Sequence, residues 1–258
     1  MQKHKRIVIA NWKMNPDSLE EARKLFSATK RVSEKLRKTT TVVCPSFVHL
    51  AHFAKLASHK TLVGAQDIFW EPKGSYTGEI SGAMIKSAGA THVIVGHAER
   101  RLLGETNEIV SAKMAAVLRE DLVAVLCIGE SHRDPQGEYL THLKEQLLAG
   151  LSEVQKKHFS QVIIAYEPVW AIGKIEALDG RGMHEIVIFI RKILNDAFGI
   201  EYAMHMPVLY GGSVTPLNTE DIVKEGHVDG LLVGRQSLDA KQFGDILTIV
   251  DKVEIENA

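Results

Sequence analysis

Residues able to move a proton stand at the ends of short apolar runs in this chain. Val162-Ile163-Ile164-Ala165-Tyr166 reads as a buried strand. Glu167 follows it, and Pro168 confines Glu167 to extended backbone. A carboxylate held where a buried strand meets a loop is suited to act as a base. The plainer alternative is a solvated charge. The other apolar runs favour the base, because they end in the same way. One ends on Asn11 and Lys13, another on Gln66, and another on Gly96-His97-Ala98-Glu99-Arg100. The rest end on Cys127 with Gly129-Glu130, on Gly211-Gly212-Ser213, and on Gly234-Arg235.

Glycine turns that open onto helices can present backbone N–H groups to an anion. Either turn alone is a common chain reversal. Gly211-Gly212-Ser213 and Gly234 together, on neighbouring runs, favour a small phosphorylated substrate. His97 leads a charged cluster, and its imidazole is a candidate proton donor, with a structural histidine as the alternative. Glu99 is placed to hold Lys13, or to form a plain structural ion pair. Lys13 reads better as a fixed positive charge than as a Schiff-base nucleophile, which needs a desolvated ammonium. Neither H-E-x-x-H nor C-x-x-C occurs, so no metal is expected. A base, a neutral donor, a cation and a phosphate grip suit proton abstraction beside a carbonyl, with the donors stabilising an enediolate.

These groups can meet only if the strand ends converge. β-branched runs recur at Arg6–Ala10, Thr41–Cys44, Thr61–Ala65, His92–Val95, Val123–Ile128, Val162–Tyr166, Pro207–Tyr210 and Gly230–Val233. Helical periodicity lies between them at Leu19–Leu36, Thr106–Glu120, Tyr139–Val154, His184–Phe198 and Gln242–Val253. Asp17 or Ser18 is placed to cap the first helix, and Thr215-Pro216 to open a later one. Alternating strand and helix predicts a closed parallel (β/α)₈ barrel, whose carboxyl-end face gathers the strand ends. A doubly wound sheet is the alternative, but no G-x-G-x-x-G follows the first strand. No linker divides the chain, so residues 1–258 are expected to form a single barrel domain.

Composition narrows the partners. The 258 residues carry a net charge of −1 without blocks of like charge, which argues against nucleic acid or an anionic membrane. No apolar stretch approaches the roughly 18 residues of a spanning helix. The apolar run after the basic N-terminus is too short for a signal peptide, so the expected compartment is the cytosol. Cys44 and Cys127 lie in apolar runs and read as buried hydrophobes.

Several segments resemble the signatures of the triosephosphate isomerase family. They are Asn11-Trp12-Lys13-Met14-Asn15, Gly96-His97-Ala98-Glu99-Arg100-Arg101, Ala165–Gly173 and Tyr210-Gly211-Gly212-Ser213-Val214. Gly74–Ser81 and Cys127-Ile128-Gly129-Glu130 are similar to two more, all in the family's order. The resemblance implies interconversion of dihydroxyacetone phosphate and D-glyceraldehyde 3-phosphate, in glycolysis and gluconeogenesis, by a homodimer needing neither metal nor organic cofactor. It implies Glu167 as base, His97 as electrophile, and Lys13 and Asn11 facing the substrate oxygens. Gly173, Ser213 and Gly234 fall where the family grips phosphate. Glu99, Cys127 and Gly212 fall in supporting positions, and Thr77 in the loop that docks beside the partner's Asn11. Three departures stand out. Ala98 replaces a serine that helps hold the base in the open state. Lys174-Ile175-Glu176 replaces Thr-Gly-Lys in the lid. Arg235 replaces the second glycine of its turn, and is a further candidate phosphate contact. Two other readings remain: another phosphosugar isomerase barrel, and a non-catalytic phosphosugar-binding barrel with a degraded lid.

Overall fold

A computed structural model describes residues 6–171 and 178–254. Eight parallel strands close in chain order: β1 Arg6–Asn11, β2 Thr39–Cys44, β3 Thr61–Ala65, β4 His92–Val95, β5 Val123–Ile128, β6 Val162–Tyr166, β7 Val208–Tyr210 and β8 Gly230–Val233. β8 returns to β1 with Leu231 opposite Val8, leaving no open edge. The helices are α1 Leu19–Ser33, α2 Phe47–Ala54, α3 Gly82–Ser87, α4 Ala98–Leu102, α5 Asn107–Arg119, α6 Glu138–Leu151, α7 Gly180–Phe198, α8 Ile200–His205, α9 Thr219–Lys224 and α10 Ala240–Lys252. The expected (β/α)₈ barrel is therefore the observed fold.

The strand runs read as continuously apolar because both faces are buried. Ile9, Val42, Cys44, Ile94, Val125 and Cys127 form the inner cluster. Their neighbours Val8, Val43, Val93, Val95 and Leu126 face outward onto helix residues such as Phe26, Leu147, Ile190 and Phe243. This period of two decides which residue beyond each strand end points over the barrel mouth.

Of the two candidate caps, Ser18 is the one used; its Oγ accepts the N–H of Glu21 at 3.2 Å. Two helix starts differ from expectation by four residues. α9 begins at Thr219, after the turn containing Pro216, because Asn218 Oδ1 accepts the Thr215 N–H at 2.8 Å and ties off that turn. α7 begins at Gly180, four residues before His184. Asp179 Oδ1 caps it by accepting the Gly182 N–H at 2.8 Å, and Asp221 Oδ2 accepts the Gly180 N–H at 2.7 Å. The Gly-Arg-Gly run looks like a breaker, yet these partners make it a helix start.

His92 is buried and, by alternation with Ile94, faces the barrel interior near the amino ends of the strands. Burial pushes its imidazole pKa down from 6.5 to about 4. The unfolded chain therefore binds the extra proton first as pH falls. Stability should be complete above about pH 6.5 and decline as pH falls toward 4, by on the order of 3 kcal/mol. Melting curves of the protein and of His92→Gln between pH 7 and 4 test this. The glutamine variant should lose less stability on acidification; equal acid slopes would contradict it.

Candidate active site

β6 ends at Tyr166, and inward-facing Ala165 is followed two residues on by Glu167, which places the carboxylate over the barrel mouth. Glu167 is only 2% exposed. Its N–H donates to the Ile128 carbonyl at 2.8 Å, and the Val169 N–H donates to Glu130 at 3.0 Å. The segment leaving β5 thus carries the β5–β6 ladder past the strand ends. Glu167 Oε2 accepts the Ala98 N–H at 2.9 Å. Oε1 lies 3.0 Å from His97 Nε2 without an aligned hydrogen bond. Residue 98 is alanine, and its backbone N–H, not a side-chain hydroxyl, holds the carboxylate in this arrangement.

His97 is buried and caps α4, its Nδ1 accepting the Glu99 N–H at 3.2 Å. A neutral imidazole that accepts at Nδ1 carries its proton on Nε2. The hydrogen-bond network therefore assigns the tautomer in which Nε2 is the donor facing the mouth.

Lys13 adopts φ of 54°, a costly conformation for a residue with a side chain. Its N–H donates to Asn11 Oδ1 at 3.0 Å. Its carbonyl accepts from Gln66 Nε2 at 2.8 Å and from Ser46 Oγ at 3.1 Å. These contacts fix the turn that aims the side chain. Lys13 Nζ pairs with Glu99 Oε1 at 2.6 Å. The pair is partly exposed and is better understood as orientation than as stability. Gly234 backs this side chain; a Cβ there would lie 3.3 Å from Lys13 Cε.

Gly211 leaves β7 directly beside Glu167. Its N–H donates to the Tyr166 carbonyl at 2.7 Å, and a Cβ on it would lie 2.9 Å from Glu167 Cγ. Gly212 packs in the same way against the Tyr210 ring and Pro168. Ser213 is half-buried, with its carbonyl accepting from Asn218 Nδ2 at 2.9 Å. The Gly234 carbonyl accepts from both the N–H and the Oγ of Ser237, which closes the short turn headed by Arg235. Arg235 is exposed. Gly173 and the lid departure Lys174-Ile175-Glu176 lie outside the described residues.

The structure also gives Glu130 neighbours. Its Oε1 accepts from Tyr166 Oη at 2.7 Å, Trp170 Nε1 at 2.8 Å and Arg133 Nε at 3.0 Å. Arg133 lies 5.1 Å from the Trp170 ring centroid. Cys44 and Cys127 are free, and burial raises both thiols above their ordinary pKa, with Glu167 adding to the effect at Cys127. Both therefore remain protonated and poorly reactive near neutral pH. Among the described residues, no cluster of three His, Cys, Asp or Glu side chains is placed to hold a metal. No helix among them is long and apolar enough to cross a membrane.

Asn11, Lys13, His97 and Glu167 thus come from three strand ends onto one face of the barrel, with both glycine turns at the same rim. A family model described as triosephosphate isomerase matches residues 6–250. The chain belongs to the triosephosphate isomerase family. The triosephosphate isomerase of Moorella thermoacetica is 39% identical over 244 residues, covering 93% of this chain and 97% of that protein. That of Symbiobacterium thermophilum is 40% identical over 243 residues, covering 93% and 94%. That of Dictyoglomus turgidum is 35% identical over 246 residues, covering 94% and 98%. The matched span of the triosephosphate isomerase family includes every candidate site residue named above.

Two contributors to the site carry weak signals in the sequence. Gly211 reads as a turn residue, while its close approach to Glu167 needs the neighbouring strand to be in place. Gln146 interrupts the apolar stripe of α6 between Leu143 and Leu147. A polar residue on a core-facing stripe is the signal that could have found it.

Proposed function

We propose that this chain is a single barrel domain that interconverts dihydroxyacetone phosphate and D-glyceraldehyde 3-phosphate. The observation that carries the reading is the buried Glu167 carboxylate, held between the Ala98 N–H and the Nε2 edge of His97. Glu167 removes the proton from the carbon beside the carbonyl and returns it to the neighbouring carbon. His97 donates from Nε2 to the oxygen on which charge develops. Its uncharged ring can move a proton between the two oxygens of the enediolate. Lys13 supplies a fixed positive charge and Asn11 a polar contact. The turns at Gly211-Gly212-Ser213 and Gly234-Arg235, together with Gly173, hold the phosphate. No metal or organic cofactor enters this scheme, because proton transfer at an already acidic carbon needs only base and donor.

A coupled assay of glyceraldehyde 3-phosphate formation tests the activity. Turnover is expected; binding of the triose phosphate without turnover would favour a non-catalytic sugar-phosphate binder.

The proposed working unit is a homodimer in the cytosol. Residues 72–79, including Thr77, form a wholly exposed excursion after β3. Around it, on the rim after β1 to β4, stand Met14 at 91% exposure, Val48 at 85% and Leu102 at 80%. A rim so apolar favours burial against a second copy, and pairing the same patch on both would be isologous. Two free, buried thiols fit a reducing compartment. Sedimentation at micromolar concentration should give a dimer. A fully active monomer would contradict this.

A further inference from the structure

Gln146 is 3% exposed and lies on α6. Its Oε1 accepts the Gly129 N–H at 2.8 Å, and its Nε2 donates to the Gly129 carbonyl at 3.2 Å. The side-chain amide therefore pairs with one residue's N–H and C=O together, as an opposed strand residue does. The Gly129 N–H and C=O fix the amide orientation, and His142 Nε2, 2.8 Å from Gln146 Nε2, accepts the second amide proton in its Nδ1-protonated tautomer. Gly129 itself is pressed against the base: a Cβ there would fall 1.9 Å from the Glu167 carbonyl oxygen. Its neighbours Ile128 and Glu130 accept the N–H groups of Glu167 and Val169.

From this chain of contacts we propose that Gln146 is a positioning residue for the base. It pins Gly129, and Gly129 with its neighbours sets the backbone height of Glu167. This rests on Glu167 being the base. A cavity of about 160 Å³ lies beside the pair, lined by Gly96, Ala98, Gly129, His142, Gln146 and Glu167 among others. Without the amide, the Gly129 segment loses two buried hydrogen bonds and has adjacent space to move into. A carboxylate displaced by about 1 Å is enough to slow proton removal by up to about a hundredfold.

The test uses the full chain with Gln146→Met, which keeps length and removes both hydrogen bonds. Gln146→Glu is the second variant; as a carboxylate it still accepts from the Gly129 N–H but does not donate to the carbonyl. We expect kcat to fall at least about tenfold in Gln146→Met and between about twofold and tenfold in Gln146→Glu, with KM within about twofold. The deuterium isotope effect for substrate labelled at the abstracted position should rise, because proton removal becomes more rate-limiting. A merely structural role would lower the active fraction and leave the isotope effect unchanged, and that result would overturn the proposal. So would a kcat within twofold of the parent in either variant that folds. Glu167→Asp measured in parallel separates the two failures. If it is severely impaired while Gln146→Met is not, positioning alone is wrong; if it is unimpaired, the assignment of the base is wrong as well.

Discussion

Shortening the proposed base in Glu167→Asp is expected to lower kcat by about a hundredfold, equivalent to about 2.7 kcal/mol at the transition state. The carboxylate is positioned by the Ala98 N–H at 2.9 Å and lies 3.0 Å from His97 Nε2. The backbone beneath it is held by the Ile128 carbonyl and by Pro168, so it cannot advance to compensate for a lost methylene. The phosphate turns are untouched, so KM should stay within about twofold. Steady-state kinetics in the coupled assay decide the matter, and near-normal kcat would remove Glu167 from the role of base.

A methyl group at Gly129 is expected to be as damaging from the other side. In Gly129→Ala the new Cβ would meet the Glu167 carbonyl oxygen at 1.9 Å and its carbonyl carbon at 2.8 Å. Backbone faces backbone here, so no flexible side chain can yield, and one strand end must move. Overpacking of this kind costs about 1–3 kcal/mol of stability. The accompanying shift of the base should reduce kcat by about a hundredfold or more. Melting and kinetics on the same preparation separate the two effects. The expected result is a cooperative melt at lower temperature with a kcat loss far larger than any loss of folded protein. An alanine variant with kcat within threefold of the parent would show that this contact does not position the base.

The two substitutions differ in how visible they were. Glu167 alone reads as a solvated charge, and it becomes legible as a candidate base only because the other apolar runs also end on polar residues. His97, Lys13 and Asn11 are similarly legible as polar residues displayed at strand ends. Gly129 is legible only as part of a turn. The reason it must be glycine is a carbonyl from a strand some 38 positions later in the chain. Gln146 is harder still, since its helix is well explained by Leu143, Leu147 and Leu151 alone. α7 starts before the periodicity predicts because two of its glycines look like breakers; Asp179 caps Gly182 locally, but the Asp221 side chain that satisfies the Gly180 N–H is brought there by tertiary structure. The Pro216 turn differs for the converse reason: local helix-start chemistry is present, but the Asn218 side chain bonds back to Thr215 and delays the helix.

The sequence by itself determined the barrel and its chemistry-bearing rim. Doubly buried strands are nearly continuously apolar, crossover helices alternate with them, and polar residues gather where the strands leave the core. These are local, short-period constraints, and the chain states them directly. Tertiary structure alone decided which partners hold those residues. The Ala98 N–H on the base, the Nε2 tautomer of His97, the Gln66 and Ser46 grip on the strained Lys13 turn, and the Gln146 clamp on Gly129 all join groups distant in sequence or depend on side-chain direction. Hydrogen bonds and close contacts act over a few ångströms of space, and no spacing along the chain encodes them until the strands have closed.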